Sequence, residues 1–370
     1  MTGVSRLLFP RASLRVVAGG LLLIIATACS GDGVGPSVEA ALPADSTAVP
    51  GDTTATPGDT TVATPGDSTI APGDSTTTPG QPPVDSTGMS PTAVPVLDTR
   101  SGLPGIVFAP DNMETEFLSS ALTGTKRGGG LTPTNILPLL ADVRARGGRI
   151  VLKLCLGRDS YVKNPDGTFS LTKWKSLVSR FKSVNLDPYI ADGTIVGHFL
   201  IDEPHRTAKW GGKIISHATL ETMAQYSKEL WPTLHTFTHT QMGWLASTPI
   251  TFKHLDAGWT QYTSGKGDVA KWAATEISYA RSKRLGLVLG MNITSGGNGS
   301  SGIRGSSSRY YSMSATELRS YGTVLLDQSY ACAFFMWQHN TTYFGRSDIK
   351  SAMTELSLKA RGHAKTSCNQ

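Results

Sequence analysis

Asp202 and Glu203 stand side by side at the end of the apolar run 195–201, and Pro204 follows them directly. Proline cannot donate to a sheet ladder, so it stops a strand where two carboxylates are presented together. Two acids set against apolar chain suit proton transfer, because burial and a neighbouring charge move carboxyl pKa values apart. The competing account is structural: an ion pair with Lys153, Arg158 or Arg206 would stabilise the same strand end.

Presenting these acids requires a framework, and the rest of the chain supplies its pattern. Apolar, β-branched runs at 105–110, 149–156, 195–204, 236–241, 256–262, 287–293 and 331–339 alternate with amphipathic stretches at 133–146, 171–184, 220–230, 269–284, 315–327 and 347–361. That rhythm predicts a parallel sheet with right-handed crossovers. The length of 101–370 matches the roughly 250 residues of a closed (β/α)8 barrel, the fold expected here. Seven strands are evident, so the eighth must lie within 115–130 or 187–192. Ser216 and Ser314 are expected helix N-caps, the second in the capping box Ser314-Ala-Thr-Glu317. Gly147-Gly148 and Gly286 are expected to stop the helices that precede them.

In such barrels the chemistry sits at the C-terminal ends of the strands. Those ends carry Asp111, then Lys153 and Asp159, then Asp202 and Glu203, then His239 and Gln241, Gln261 and Tyr262, Asn292, and finally Trp337, Gln338 and His339. Acids and amides bond hydroxyls, and aromatic rings offer flat apolar faces. The set suits a polyhydroxylated ligand.

Ile201-Asp202-Glu203-Pro204 resembles the Asn-Glu-Pro ending of the fourth strand in the large clan of (β/α)8 glycoside hydrolases. Phe334-Phe335-Met336-Trp337 is similar to their eighth strand, and Tyr262 falls where their sixth strand offers a tyrosine. The resemblance covers 105–365. It implies hydrolysis of a glycosidic bond in a polysaccharide or oligosaccharide, with Glu203 as general acid/base and Trp337 as the floor of the sugar site. Lys153, His239, Gln241, Gln261, Tyr262, Asn292 and Gln338 are the other expected substrate contacts, and no cofactor or metal is expected. One departure stands out. The seventh strand of that clan ends in the nucleophilic glutamate, whereas 287–293 ends in Met291-Asn292-Ile293.

Glycoside hydrolysis ordinarily uses two carboxylates, about 5–5.5 Å apart for retention and roughly 6.5–9.5 Å for inversion. Beside Glu203 the candidates are Asp202, Asp111 and Asp256. Alternation along a strand sends Asp202 and Glu203 to opposite faces unless the strand has already broken. Asp111 and Asp159, at other strand ends, are geometrically easier, whereas Asp256 opens its run and is expected at the opposite end of the barrel. Asn292 leaves two alternatives open: substrate-assisted hydrolysis, and a non-catalytic glycan-binding protein on a glycosidase-like scaffold.

Other motifs lead away from other chemistries. Gly297-Asn298-Gly299-Ser300-Ser301-Gly302 matches a dinucleotide fingerprint in form, but no helix pattern starts on its last glycine. A Gly/Ser loop over the barrel mouth, carrying Arg304 and Arg309, is the expectation instead. His235 and His239 are four apart on a strand pattern, which does not make one metal-binding face. No Gly-x-Ser-x-Gly elbow is present.

The first hundred residues are different in kind. Arg6, Arg11 and Arg15 flank and precede an apolar run over 16–25, followed by Ala26-Thr27-Ala28-Cys29. This predicts a signal peptide over 1–28, too short for a membrane span. Cys29 placed after small residues resembles a bacterial lipobox, which implies lipidation of Cys29, export, and a membrane anchor at the cell envelope. Residues 29–100 then form a linker of Pro, Gly, Asp, Ser and Thr, with a degenerate repeat beginning at Pro50, Pro57, Pro65 and Pro72. Such a composition cannot bury enough apolar surface to fold, so disorder is expected.

Residues 30–100 hold nine acids against Arg100, a net of −8, whereas 101–370 keep 30 of the 34 basic and 19 of the 28 acidic side chains, a net of +11. No basic helix or aromatic-interleaved motif accompanies that charge, so no nucleic-acid partner is expected, and the barrel is expected as a monomer. With Cys29 lipidated, Cys155, Cys332 and Cys368 remain. Three is an odd number, so at least one is expected to stay free, no disulfide framework or CxxC zinc pattern is present, and Cys155 and Cys332 lie in apolar runs as core residues.

Overall fold

The computed structural model describes residues 105–305, 310–364 and 368. The signal segment, Cys29, the linker and Arg309 lie outside these residues. Eight parallel strands follow in chain order: β1 (Phe108–Pro110), β2 (Gly124–Arg127), β3 (Arg149–Leu152), β4 (Ile195–Asp202), β5 (Thr236–His239), β6 (Ala257–Trp259), β7 (Gly286–Asn292) and β8 (Ala331–Trp337). Each pairs in parallel with its neighbour from β2 round to β8, and β8 pairs with β1. The ring closes between β1 and β2 through a parallel bridge from Asp111 to Lys126 and a bond from Thr123 N to Phe108 O at 3.0 Å. The barrel expected from the sequence is therefore present, and the eighth strand is β2, inside 115–130. The other candidate, Asp187–Ala191, is a short helix opened by Pro188.

The larger helices between strands are Ile136–Ala145, Leu171–Ser179, His217–Leu230, Val269–Ser282, Ala315–Leu326 and Ser347–Arg361. Ser216 caps its helix by accepting from Thr219 N, and Ser314 with Glu317 forms the full capping box. Gly147 takes φ 67° at a helix stop, as expected. At the end of Val269–Ser282 the left-handed position falls on Arg284 (φ 55°), not on Gly286, which instead opens β7. Gly286 lacks a side chain for another reason: a Cβ there would lie 1.9 Å from Cys368 O.

Two apolar layers fill the fold. Inside the barrel, Phe199, Phe237, Trp259 and Phe335 meet edge to face or stacked, with centroids 5.7 Å (Phe199–Phe237), 5.8 Å (Trp259–Phe335) and 6.3 Å (Phe237–Phe335) apart. Val107, Ala109, Val151 and Val288 complete this inner layer. Between sheet and helices, Trp174 stacks on His198 and donates to Leu200 O at 2.9 Å. The N-terminal end of the barrel is closed by a Cys332–Cys368 disulfide, with Gly286 N donating to Cys368 O at 2.8 Å. Cys332 is a core residue, as expected, and is bonded to Cys368, which leaves one of the three cysteines unpaired, as their odd number requires. Cys155 is free and buried.

Candidate active site

The site begins with a fault in β4. Phe199 faces the inner aromatic layer, so strict alternation would turn Asp202 outward. The β4–β5 register shifts between Phe199 and Asp202, and Asp202 turns inward instead, where its Oδ1 meets His239 Nδ1 at 2.7 Å. Glu203 then takes φ 48°, a left-handed conformation, while its N–H still donates to His239 O at 2.9 Å. Both acids therefore reach the mouth. Asn112 (φ 55°) after β1 and Leu156 (φ 71°) after β3 share this left-handed geometry, so three non-glycine residues at strand ends of one rim carry backbone strain.

Lys209 gathers the carboxylates. It sits on a 3-10 turn, Thr207–Lys209, seven residues beyond Asp202. Its Nζ lies 2.9 Å from Asp159 Oδ2 and 3.6 Å from Glu203 Oε2, and it also bonds Asp202 Oδ2. The nearest oxygens of Asp159 and Glu203 are thus no farther apart than the sum of two contacts to one ammonium. Lys153 meets the other Asp159 oxygen at 2.9 Å, and Arg206 Nη1 meets Glu203 Oε1 at 2.9 Å. The ion pair considered as the structural role of these acids is present with Arg206, while Lys153 pairs with Asp159.

Beneath this network lies Asp111, fully buried, facing the Lys126 ammonium at 2.9 Å. Lys126 rests 4.3 Å over the Phe199 ring. Burial pushes the Asp111 carboxyl up, more than Lys126 pulls it down. At Asp202 burial acts the same way but is outweighed by Lys209 and His239, which hold its carboxyl well below the usual range. Asp159 is lowered as well, burial being outweighed by Lys153 and Lys209. One aspartate is thus pushed up and two are held down, and the Asp202 charge is among the causes that raise Asp111.

The remaining sequence-expected residues divide. Lys153, Asp159, Asp202, Glu203 and His239 come together in the network described, with Asp111 below it. Gln261 is nearly buried and follows Trp259 on the inward face, its Nε2 without a partner. Asn292 Oδ1 accepts from Ser295 N at 3.0 Å, so it caps its own turn at the end of β7. Trp337 and Gln338 are half-buried at the end of β8, joined by a cis peptide. Gln241 is exposed at the start of the helix Met242–Ala246. Tyr262 turns the other way. Its ring packs against Trp272 and Tyr321 behind the sheet and its hydroxyl bonds Gly267 O, so it is not brought to the mouth and the expected sugar contact is corrected. The reason is parity: with Trp259 inward, 261 is inward and 262 outward.

Asp256 lies at the opposite end, as expected, where it binds Lys228 at 2.7 Å and Thr236 N at 2.7 Å. His235 directly precedes β5 and His239 ends it, and among the described residues no group of three His, Cys, Asp or Glu side chains is placed to hold a metal ion. The 297–302 stretch starts no helix; Gly297 bridges Tyr311, and Glu317 accepts from Asn298 N at 2.7 Å. Nothing in the sequence marks Lys209 or Lys126 as site residues, since one lies in a loop and the other in the strand whose place the pattern leaves between 115–130 and 187–192.

No protein-family model matches the chain, and no curated protein matches it. Solved structures do. A xylanase from Thermoanaerobacterium saccharolyticum is similar at 11% identity and a TM-score of 0.42, over 65% of this chain and 90% of its own. Gas2p of Saccharomyces cerevisiae, in complex with laminaritriose and laminaritetraose, is similar at 11% identity and 0.48, over 72% and 67%. A β-D-glucuronidase of Dictyoglomus thermophilum is similar at 11% identity and 0.46, over 74% and 54%. The fold of this chain is the (β/α)8 barrel.

Proposed function

We propose that the mouth binds a carbohydrate and hydrolyses a glycosidic bond, with Glu203 as general acid/base. The observation that carries this reading is Glu203 itself. A left-handed backbone at a non-glycine residue costs on the order of 1–3 kcal/mol, and such strain clusters at functional sites. Here it turns a carboxylate toward a rim that also offers Asp159, Asp202, His239, Gln261 and Trp337. Asp159 is the favoured second carboxylate, because it stands at the end of a different strand from Glu203 and shares the Lys209 ammonium with it. Asp202, bonded to His239, is the charge that keeps the site polarised.

The second reading is glycan binding without hydrolysis. Asn292 favours it, since the seventh strand offers an amide there, and so do the cations that pair every carboxylate of the network. The two readings part on one experiment: hydrolysis of a panel of chromogenic glycosides and polysaccharides by wild type, Glu203→Gln and Asp159→Asn. Hydrolysis lost in Glu203→Gln supports the first reading. Hydrolysis unchanged by that substitution removes Glu203 from the reaction, and binding with no hydrolysis by wild type favours the second.

We further propose that the protein is a lipid-anchored envelope protein, tethered through Cys29. The Cys332–Cys368 disulfide supports an exported location, because such bonds persist in oxidising compartments. Membrane fractionation of wild type against Cys29→Ala tests it, with release of the variant into the soluble fraction expected.

A further inference from the structure

We infer that the mouth takes an anionic glycan, one with carboxylate or sulfate groups along its chain, and that Arg158, Lys163 and Lys213 recognise its charge. The inference rests on the carbohydrate reading above and adds the substrate class.

The carboxylates around Glu203 are already matched from within the protein: Asp159 by Lys153 and Lys209, Asp202 by Lys209, and Glu203 by Arg206. Three more cations on the same two loops take no part in that network. Arg158 directly precedes Asp159 and is exposed. Lys163 Nζ lies 5.2 Å over the Trp210 ring, and Trp210 Nε1 donates to Glu203 O at 3.0 Å, so this cation stands one side chain from Glu203. Lys213 is exposed and anchored to the same tryptophan through its backbone, N to Trp210 O at 3.1 Å. Among the described residues none of the three lies within 4.0 Å of a carboxylate oxygen; Lys213 acts at longer range on the exposed Asp166, whose carboxyl it helps to lower.

These cations stand on one packed wall. Phe169 meets Trp210 edge-on at 5.7 Å, and Gly211, at φ 60°, fits only because a Cβ would lie 2.7 Å from Asp166 O. The loop after β3 and the loop after β4 are therefore docked on each other. Tyr161, 49% exposed and two residues beyond Asp159, adds an uncovered ring to the same loop. A neutral sugar would gain little from surplus cations, which repel one another, whereas a repeating anion is matched by them and drawn in by the net charge of +11 on 101–370.

The test measures binding of the full chain, in neutral detergent, to polygalacturonate, dextran sulfate, highly methyl-esterified pectin and dextran. At least one of the two anionic polymers is expected to bind about tenfold or more tightly than its neutral counterpart, and the stronger of the two names carboxylate or sulfate as the recognised group. The triple variant Arg158→Gln/Lys163→Gln/Lys213→Gln loses the preference. A matched control, Lys182→Gln/Arg281→Gln/Arg284→Gln, removes three exposed cations after Leu171–Ser179 and near the end of Val269–Ser282, and keeps it. Equal affinity for charged and neutral polymers overturns the inference, as does an equal loss in both triple variants. Selective polyanion binding without hydrolysis leaves it standing while removing the proposed reaction, and hydrolysis of neutral glycans without charge preference does the reverse.

Discussion

Lys209 Nζ lies 2.9 Å from Asp159 Oδ2, so the loop after β4 and the loop after β3 are joined by charge at the barrel mouth. The same ammonium serves Asp202 and Glu203, and its burial is offset only because three carboxylates share it. Lys209→Met removes a cation from a mostly buried cluster and leaves its partners closer together than their repulsion allows. We expect a loss of about 2–4 kcal/mol in urea denaturation at neutral pH, less than a fully uncompensated charge because Lys153, Arg206 and His239 remain.

The pH dependence of that effect has a definite sign. Asp202 and Asp159 are held below their ordinary value of 3.8, so the stability they contribute is present above that pH and lost as pH falls through their folded values. Without Lys209 the depression shrinks. Acid unfolding of Lys209→Met, followed by circular dichroism, should therefore begin at a higher pH than in wild type, and coincident acid limbs would remove Lys209 as the main cause of the depression.

A second acid-sensitive element lies behind the sheet. His198 is fully buried between Trp174 and Trp231, its Nδ1 2.8 Å from Ser227 Oγ, and burial lowers its pKa from 6.5 to about 3. The unfolded chain therefore binds the proton first. Stability from the neutral ring is present above pH 6.5 and declines as pH falls toward 3, by about 1.4 kcal/mol per pH unit. His198→Phe keeps a ring between the tryptophans and removes the titration, at the cost of an unpaired Ser227 hydroxyl. Its stability measured across that window should be flatter than that of wild type.

The barrel was legible because its elements obey simple periods, and the exceptions show where periods fail. β2 shows in the sequence only as one of two windows, 115–130 or 187–192, because Gly124-Thr-Lys-Arg127 has no apolar face: its inward positions are a glycine and Lys126, whose burial depends on Asp111 and the Phe199 ring. Tyr262 was readable in principle, since its parity follows from Trp259. The reach of Asp202 was not, because the register shift in β4 leaves no mark in the residue types. Lys209 belongs to a loop, where neither period applies, and its role follows from where the docked loops meet. Cys368 is far from Cys332 in sequence, and only the fold, which sets Cys368 against Gly286, joins them.

That contact gives a further prediction. The two cysteines are separated by 36 residues, and closing a loop of that size restricts the unfolded chain by about 3–4 kcal/mol in the chain-entropy account. Cys368→Ser should lower stability by this order, and reductant should lower wild type to the level of the variant without affecting the variant. Gly286→Ala should displace the Cys368 backbone without touching the sulfurs, because its Cβ meets Cys368 O. Loss of stability in Gly286→Ala that reductant does not deepen would show that the seating of Cys368 and the covalent link act as one unit.

Glu203 offers the sharpest separation of fold from function. At φ 48° a glycine is relieved of steric cost by roughly 1 kcal/mol relative to a residue with a Cβ, whereas the partly exposed ion pair to Arg206 is worth a similar or smaller amount. Glu203→Gly should therefore leave the stability of the barrel unchanged or slightly raised, within about 1 kcal/mol. Glu203→Ala, which keeps the strain and loses the ion pair, should be the less stable of the two by urea denaturation. If strain is retained for function, both variants lose the activity assigned to the mouth although one of them folds at least as well as wild type. A Glu203→Gly protein clearly less stable than Glu203→Ala would instead show that the left-handed turn is not strained, which removes the strain argument for function.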